Sequence, residues 1–536
     1  MTDETYDFIV VGAGSAGCCL ANRLSADPAN RVLLLEAGGN DTSPLIKMPI
    51  GFTRLMYDAS TTALYKTEPE PHLGGRKVSV VRGRVMGGCS AINGMVYMRG
   101  QREDYDGWGA MPGCEGWSYD DLLPHFKRSE DFLVGDPGAF HGTGGELPVS
   151  HPRADYPVTR AFLDAAAALG IPRNDDLNGA QQEGIGYMQV NQKGGERWSS
   201  ARSFLTAEVK RRPNLKIVTR AFGARILLEG KRAVGLEYSI DRGETKRARA
   251  GEVVLSAGAY DSTPLLERSG IGAPDVLGGL GVPVQHALAG VGENLQDHFQ
   301  VWCQHGVTSK ETLGEDGKFP RVVWSTLRYL FTKNGPLTFP AANVGAFVRG
   351  KAGGRPIFQI HFTPGAGGMD DAGNMLASKE SGVNATVCVL RPTSRGSVHA
   401  RDLDPRSPPK VLHNYLSTAD DRRLAIEAFR LLRSIYAAKP FAEQATRELL
   451  PGAQVQSDDD ILTFWKSAGM SVYHPVGSAK MGAASDPTAV VDHELRVHGI
   501  EGLRVVDASV FPLVPSGNTH APVVAVAERA ATLMLR

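Results

Sequence analysis

Three glycines near the start of the chain, Gly12, Gly14 and Gly17, form a G-x-G-x-x-G run in which Ser15 and Ala16 precede the third glycine. Gly12 would permit a tight turn, Gly14 would let the backbone approach a pyrophosphate, and Gly17 would let a helix pack closely on a strand. The amino end of that helix would present free N–H groups and a positive dipole to the phosphates. The run therefore predicts a dinucleotide-binding site.

The segments around this run follow the order of a βαβ unit. Residues 6–11 and 31–35 are dense in β-branched and apolar residues and predict buried strands, while residues 15–26 have helical character. Glu36, followed by Ala37, ends the second strand, where a carboxylate can accept hydrogen bonds from a ribose diol. The unit fits FAD or NAD. Its position near the amino terminus favours FAD, and an NAD-dependent dehydrogenase is supported by this unit alone.

Composition excludes some other classes. The chain has 536 residues, 42% of them hydrophobic, with 58 basic and 58 acidic residues. A zero net charge argues against nucleic-acid binding, and the length indicates more than one domain. Six cysteines are scattered without a C-x-x-C pair or a Cys/His cluster, so we expect reduced thiols and no metal site.

The amino terminus is acidic, and nowhere does the sequence approach the ~20 apolar residues of a transmembrane helix. The sequence thus predicts a cytoplasmic protein without a secretory signal or transmembrane segment, and it leaves peripheral contact with the inner membrane open.

Further along the chain, short strand-like segments are separated by turn residues. They are followed by a helix pattern from about residue 261, and a final strand and helix close the chain. The predicted strands are 216–219, 224–228, 234–240, 252–256 and 503–506, and the predicted helices include 418–438 and 521–535. Composition changes near residues 300 and 490 predict domain boundaries there.

A glycine-rich segment at residues 82–100 reads Arg-Gly-Arg-Val-Met-Gly-Gly-Cys-Ser-Ala-Ile-Asn-Gly-Met-Val-Tyr-Met-Arg-Gly. Its small residues would let backbone amides lie against a flat ring system, and Asn93 could hydrogen-bond the edge of that ring. The segment resembles a signature of the glucose–methanol–choline (GMC) oxidoreductase family. Further signatures of the family are matched, in the same order, by segments 258–272, 291–298, 473–482 and 504–519. The resemblance therefore covers nearly the whole chain.

The resemblance implies an α/β fold, α+β overall. A Rossmann-like FAD-binding domain would be built from discontinuous segments, 1–150, 190–300 and 490–536. A substrate domain, 151–189 and 301–489, would contain an antiparallel sheet flanked by helices. The FAD contacts that it implies are Gly12, Gly14, Ser15, Ala16, Gly17, Glu36, Ala37, Arg84, Met86, Gly88, Asn93, Gly94, Met95, Val96, Phe222, Ala257, Tyr473, Asp507, Ala508, Asn518 and Thr519.

The resemblance also identifies His474 as the catalytic base and Asn518 as its partner. A hydride leaves an alcohol carbon readily only when the hydroxyl proton is also removed, and a neutral imidazole with a pKa near ~6.5 suits that task. The Asn518 amide could hydrogen-bond the developing alkoxide. His298, His493, His498 and His520 are expected to be structural or to lie behind the groups that meet the substrate.

The sequence departs from the family pattern at three places, one of which, Thr263-Pro264, is a local change at a helix start. Cys89 stands where a Ser or Gly is usual, and its small size predicts no effect. Val80 stands where some choline-oxidising members carry a flavin-linking His, so we expect FAD to be bound non-covalently.

The predicted reaction is oxidation of a small-molecule alcohol, polyol or sugar by hydride transfer to flavin N5. The electron acceptor would be a quinone, a dye-like or protein acceptor, or oxygen. A dehydrogenase is favoured, and an alcohol oxidase of the same family is the main alternative. A hydroxynitrile lyase or fatty-acid photodecarboxylase is a weaker one, since Leu390 and His474 depart from the photodecarboxylase pattern. Residues 44–56 could form a lid or cover a domain surface, and the oligomeric state stays open.

Overall fold

The computed structural model describes residues 4–369 and 375–536. Residues 1–3, most of the acidic amino terminus, lie outside the described part. The helices are α1 Ser15–Leu24, α2 Pro44–Lys47, α3 Phe52–Leu55, α4 Arg102–Gly109, α5 Tyr119–Ser129, α6 Pro157–Ala168, α7 Ser200–Phe204, α8 Ser262–Arg268, α9 Pro274–Leu280, α10 Leu313–Asp316, α11 Arg321–Thr332, α12 Ala419–Ala437, α13 Asp458–Ala468 and α14 His520–Met534. Short 3₁₀ turns occur at Pro49–Gly51, Pro71–Leu73, Gly88–Ala91, Val209–Arg211, Pro336–Thr338, Phe441–Glu443 and Ala508–Val510.

The strands are β1 Glu4–Val11, β2 Val32–Glu36, β3 Thr62–Lys66, β4 Ser79–Gly83, β5 Glu130–Phe132, β6 Leu147–Val149, β7 Gly184–Tyr187, β8 Gln192–Lys193, β9 Glu196–Arg197, β10 Leu215–Thr219, β11 Ala221–Glu229, β12 Arg232–Ile240, β13 Thr245–Leu255, β14 Ile271–Gly272, β15 His286–Ala287, β16 Phe299–Val307, β17 Val344–Gly350, β18 Gly353–Thr363, β19 Gly367–Met369, β20 Met375–Ala377, β21 Gly382–Val389, β22 Ser397–His399, β23 Lys410–Leu412, β24 Ala445–Leu450, β25 Met470–Ser471 and β26 Leu503–Val505.

The first large sheet has the strand order β10-β2-β1-β13-β12-β11, with β26 beside the end of β13. Strands β10, β2, β1, the end of β13 and β26 are parallel, whereas β11, β12 and the start of β13 form an antiparallel meander. Every residue of β2 is buried, as expected for a parallel strand covered on both faces. Helices α1 and α14 share one apolar core with this sheet. The carboxyl ends of β1, β2, β13 and β26 therefore meet at one edge, where α/β sheets bind ligands.

The second large sheet is antiparallel and has the order β24-β16-β21-β18-β17-β7, with β25 also paired to β16. Helices α6, α12 and α13 pack against it and contribute Phe162, Phe429 and Trp465 to its core. The structure thus confirms the predicted fold class, a parallel-sheet unit with a helix-flanked antiparallel sheet. The predicted helices and strands named above are present, with ends that differ by a few residues, except that β13 extends seven residues further toward the amino terminus than predicted. Within the described residues, no helix combines the length and apolarity needed to cross a membrane.

Candidate active site

A cavity of about 640 Å³ runs from the carboxyl ends of the parallel strands to the face of the antiparallel sheet. Most residues that were expected to hold the cofactor line it: Gly12, Gly14, Ser15, Ala16, Glu36, Ala37, Arg84, Gly88, Asn93, Gly94, Met95, Val96, Phe222, Ala257, Tyr473, Asp507, Ala508, Asn518 and Thr519. Gly17 and Met86 are not part of the wall. The side chain of Met86 is buried in the core of the first sheet, and Gly17 acts through packing.

The glycine run has the geometry that its sequence predicts. Gly12 has φ +103°, and a Cβ atom there would lie 2.5 Å from the Ser256 carbonyl oxygen. A Cβ atom on Gly17 would lie 1.8 Å from the Gly12 oxygen, so helix and turn meet through bare backbone. Gly14 is the N-cap of α1 and has no side-chain cap, which leaves the first N–H groups of the helix directed at the cavity. These features form a cradle that suits a pyrophosphate.

Glu36 lies at the nucleotide end of the cavity and is tied to the backbone. One carboxylate oxygen accepts the Ala13 N–H and the other accepts the Gly38 N–H, each at 2.8 Å. Burial raises the pKa of Glu36 to about 7. Its contact with a ribose remains a prediction, and its observed bonds already fix the turn between β1 and the glycine run. Phe222 also lines this end, with the Arg406 guanidinium 4.8 Å from its ring centre.

The 86–96 segment lies directly against the glycine run because Gly88 has no side chain. A Cβ atom on Gly88 would lie 2.7 Å from Gly14 Cα. Asn93 faces the cavity, but its Oδ1 accepts hydrogen bonds from the Met95 N–H and from Arg197. The guanidinium of Arg197 is buried, and within the described residues two of its nitrogen atoms have no hydrogen-bond partner. Burial lowers its pKa to about 9, so it places a positive charge behind this wall at neutral pH.

Asp507, which follows β26, is hydrogen-bonded to the segment that follows the neighbouring strand β13. Its Oδ2 accepts the Gly258 N–H at 2.8 Å and the Ser262 hydroxyl at 2.6 Å, and its Oδ1 accepts from Ser509. Ala508 and Thr519 continue the wall toward the first turn of α14. The carboxylate therefore holds the cavity wall in shape in addition to any cofactor contact.

His474 and Asn518 meet at the cavity although 44 residues separate them. Asn518 Nδ2 lies 3.0 Å from His474 Nε2, and both residues line the wall. Asn518 Oδ1 in turn accepts a hydrogen bond from Gln359 Nε2 at 3.1 Å. The structure thus brings together the two residues that were expected to do the chemistry.

The contact between His474 and His298 shows which ring nitrogen of His474 carries the proton. His298 Nε2 lies 2.9 Å from the Leu390 carbonyl oxygen, which can only accept, so Nε2 carries a hydrogen. Burial lowers the pKa of His298 to about 4, so the ring is neutral at pH 7 and its Nδ1 is bare. That Nδ1 lies 2.9 Å from His474 Nδ1, which must therefore donate. His474 Nε2 is left unprotonated and directed at the Asn518 amide.

Electrostatics keep His474 neutral. Burial, followed by the nearby His298, His361 and Arg82, lowers the pKa of His474 well below its usual value of 6.5. The backbone at this point is also fixed. Tyr473 has φ +66°, and the His474 N–H donates to Asp297 Oδ1 at 2.8 Å. A neutral, oriented imidazole with a free lone pair is the form that can accept a proton.

Sequence reasoning missed Gln359 and His361, which are placed by β18. His361 lines the cavity and interacts with the Asn518 amide. Both lie on one side of the strand because alternate residues share a face. The signal was present, since Gln359, His361 and Thr363 alternate with the buried apolar residues Phe358, Ile360 and Phe362. Arg82 and Asp297, which lie behind His474, were also missed.

The three other histidines that were expected to be structural, His493, His498 and His520, differ in their distance from the cavity wall. His520 lines the cavity, and its ring nitrogens contact Ser200 at 3.0 Å and Asn191 at 3.1 Å, so it is more than a core residue. His498 contacts the Gly482 carbonyl away from the cavity, and His493 is exposed.

Residues 44–56 form α2, a 3₁₀ turn and α3, and they cover one side of the cavity. Ile50, Phe52, Thr53 and Met56 belong to its wall. The segment is therefore part of the site, in agreement with the lid alternative as far as its position is concerned.

Val80, on which the expectation of non-covalent binding rests, lies next to the cavity. Its side chain packs with the core of the second sheet, and the neighbouring Val81 and Arg82 line the cavity. Non-covalent attachment stays a prediction.

Among the described residues, one cluster outside the cavity has ligand atoms close enough together for a metal ion: Cys303, His305 and Glu448. Glu448 is already paired with Arg433, with N–O distances of 2.9 and 2.6 Å. Burial also raises the pKa of the Cys303 thiol well above its ordinary value, which opposes the thiolate that a metal needs. We assign no metal to this cluster.

Comparison with known proteins gives consistent matches. The amino-terminal and carboxyl-terminal family models described as GMC oxidoreductase match residues 6–300 and 392–527. An alcohol dehydrogenase [acceptor] of Pseudomonas putida is 41% identical over 99% of this chain and 96% of its own length. The mitochondrial choline dehydrogenase of Mus musculus is 42% identical over 99% of this chain and 89% of its own. The crystal structure of pyridoxine 4-oxidase from Mesorbium loti superposes with a TM-score of 0.88 and 34% identity, with 98% of each chain covered.

Proposed function

Since the chain belongs to the GMC oxidoreductase family and uses FAD, we propose that it oxidises an alcohol to an aldehyde or ketone, with His474 as general base and Asn518 as its partner. The observation that carries this proposal is the 3.0 Å contact of His474 Nε2 with the Asn518 amide at the wall of the cavity. The donor class is a primary alcohol, a polyol or a sugar.

FAD fits the cavity because its two ends offer different chemistry. The bare glycine run and the first turn of α1 suit a pyrophosphate, and Glu36 and Phe222 suit an adenosine. The residues of the 86–96 segment that line the wall, together with Tyr473, Asp507, Ala508 and Thr519, would hold the flavin portion. When bound, FAD supplies the acceptor for the hydride that leaves the alcohol carbon.

The protein supplies the proton acceptor and its orientation. An alcohol hydroxyl that replaces the Asn518 contact would donate to His474 Nε2, which is unprotonated because Nδ1 carries the hydrogen. Asn518 Nδ2 would then hydrogen-bond the oxygen as negative charge develops on it. Gln359 Nε2 donates to the other end of the Asn518 amide, its Oδ1 atom. Burial keeps water from competing for the base.

Attachment of FAD is proposed to be non-covalent, and the contacts of nearby nucleophilic side chains support this. The ring nitrogens of His474 and His520 already have protein partners. The Cys89 sulfur accepts the Gly83 N–H at 3.3 Å. These contacts occupy the histidine and cysteine atoms that could otherwise form a covalent bond to the flavin.

Domain limits, acceptor and location belong to the same proposal. Segments 1–150, 190–300 and 490–536 would form the FAD domain, with 151–189 and 301–489 as the substrate domain. A dehydrogenase that uses an acceptor other than oxygen is favoured, in keeping with the alcohol dehydrogenase [acceptor] relative. A cytoplasmic location is supported by six free cysteines, five of them buried.

The test is an anaerobic screen of alcohols, polyols and sugars, in which bleaching of the flavin identifies the donor. Air is then readmitted, and the rate at which the flavin colour returns distinguishes an oxidase from a dehydrogenase. His474→Ala should retain FAD but lose about 10²–10⁴-fold in bleaching rate. The matched control is His493→Ala, because His493 is exposed and far from the chemistry. Bleaching of His474→Ala at the rate of the unmodified enzyme would remove the base assignment.

A further inference from the structure

Helix α11 carries its large apolar residues on the outside. Its buried positions are Ser325 and Tyr329, whereas Trp324 is 72% exposed and Phe331 is 83% exposed. Phe319, just before the helix, is 84% exposed. The exposed apolar residues of this face, which we call the α11 face, are Phe319, Val323, Trp324, Leu327, Leu330 and Phe331. A contiguous apolar face of this kind marks an interaction site.

The same stretch is strongly basic within a chain of zero net charge. Residues 317–334 contain Lys318, Arg321, Arg328 and Lys333 and no acidic residue. Lys318 pairs with Glu315. Arg321 donates to the Lys310 carbonyl, and neither Arg321 nor Arg328 forms an ion pair within the described residues. Aromatic and aliphatic side chains bordered by free cations are typical of helices that lie in a membrane interface.

The α11 face also adjoins the wall of the cavity. Leu313 and Gly317, which precede the helix, line the cavity, and so do Phe339 and Pro340, which follow it. Gly317 is exposed as well, so the cavity wall reaches the surface beside the first turn of α11. A partner that covers this helix would therefore lie next to one end of the cavity.

We propose that the α11 face docks on an anionic phospholipid bilayer. Trp324 and Phe331 insert among the lipid headgroups and acyl chains, and Arg321 and Arg328 contact the headgroup phosphates. A second copy of the chain fits less well, because a twofold contact would bring the same basic residues of two helices together. The docking does not depend on the proposed alcohol oxidation.

The experiment is vesicle flotation of the FAD-containing full chain. Vesicles of phosphatidylcholine with phosphatidylglycerol should carry the protein upward at low salt, and vesicles of phosphatidylcholine alone should carry less. Trp324 is the most exposed tryptophan, so its emission should shift to shorter wavelength on binding, and Trp324→Phe should lose that shift.

Substitutions separate the apolar contribution to membrane binding from the electrostatic contribution. Trp324→Ser and Phe331→Ser should each lower the partition coefficient about tenfold. Arg321→Gln and Arg328→Gln should each lower it about fivefold, and only for the anionic vesicles. Leu169→Ser, at a residue that is 46% exposed on another surface, is the control and should change nothing. Melting temperature and anaerobic bleaching by a water-soluble alcohol should match the unmodified chain in every variant.

Two results would overturn the proposal. One is the absence of flotation with anionic vesicles, or flotation that none of the four variants weakens. The other is a dimer in sedimentation analysis that Trp324→Ser with Phe331→Ser converts to a monomer, which would make the α11 face an interface between copies of the chain.

Discussion

The tautomer of His474 can be tested at His298, a residue that has no need to touch substrate. In the observed arrangement the wrong tautomer of His474 would place two unprotonated nitrogens 2.9 Å apart. A buried hydrogen bond left unmade costs about 1–3 kcal/mol. The contact with His298 therefore suppresses the wrong tautomer about 5- to 150-fold.

The contact of His474 with Asn518 contributes little to the preference for one tautomer of His474. Both the Asn518 and Gln359 amides can turn over, and within the described residues the Gln359 Oε1 atom has no partner that would resist the turn. The Leu390 carbonyl has no such freedom because a backbone oxygen only accepts. The preference for the reactive tautomer thus depends on the path from Leu390 through His298.

The perturbations are His298→Leu and His298→Gln. Leucine breaks the path, and bleaching by saturating alcohol should slow about tenfold or more, with the substrate concentration for half-maximal rate nearly unchanged. Glutamine can donate to the Leu390 carbonyl and accept from His474 Nδ1, so it should restore most of the rate. The assay is anaerobic stopped-flow reduction of the flavin. Histidine labelled with ¹⁵N in the ring gives a second readout, in which the His474 signals should change tautomer in the leucine variant alone.

A merely structural role for His298 predicts something different. Both variants would then lose rate in proportion to their loss of melting temperature, and the ring nitrogens of His474 would keep their protonation pattern. Equal rates for leucine and glutamine, or a protonated Nε2 on His474 in the unmodified enzyme at pH 8, would refute the reasoning.

Three further outcomes are expected. Gly12→Ala places a Cβ atom 2.5 Å from a carbonyl oxygen and should give colourless protein without FAD. The control Gly278→Ala, in open space on α9, should stay yellow, and the measurement is the flavin absorbance per chain. Burial lowers the pKa of His413 to about 3, so the unfolded chain takes up its proton first as pH falls below about 6.5, and stability should fall by about 2 kcal/mol between pH 7 and 5 from this residue alone. Denaturant unfolding of His413→Phe should lack that part of the slope. Arg197→Met removes a buried cation that has no ion-pair partner among the described residues and lies beside Asn93. It should lower the flavin midpoint potential by on the order of 30 mV, measured by dye-linked titration, and an unchanged potential would place the charge too far from the ring.

The parts of the fold that local patterning controls were predictable. The strand at residues 6–11, the glycine run and Glu36 are close in sequence, and their spacing alone requires a βαβ unit. His474 and Asn518 came from the resemblance to the GMC family. The contact between them depends on how β25 and the first turn of α14 meet across the cavity, which no local pattern encodes.

Three of the residues that sequence reasoning missed, Gln359, His361 and Asp297, lie on strands of the second sheet or beside them. Gln359 and His361 belong to β18, and their shared face is decided by which side of that strand the core occupies. Register, rather than residue type, was the missing information.

The consecutive residues Asp297 and His298 show why His474, and not the nearby carboxylate, suits the role of the proposed base. Burial raises the pKa of Asp297 to about 6, a range in which it could also take a proton. Its oxygens, however, already accept the Ser471 and Tyr415 hydroxyls and the His474 N–H. Neighbouring side chains on extended backbone point to opposite sides. Asp297 therefore holds the backbone of His474 while His298 holds its ring, and between them only His474 Nε2 retains a lone pair directed at the cavity.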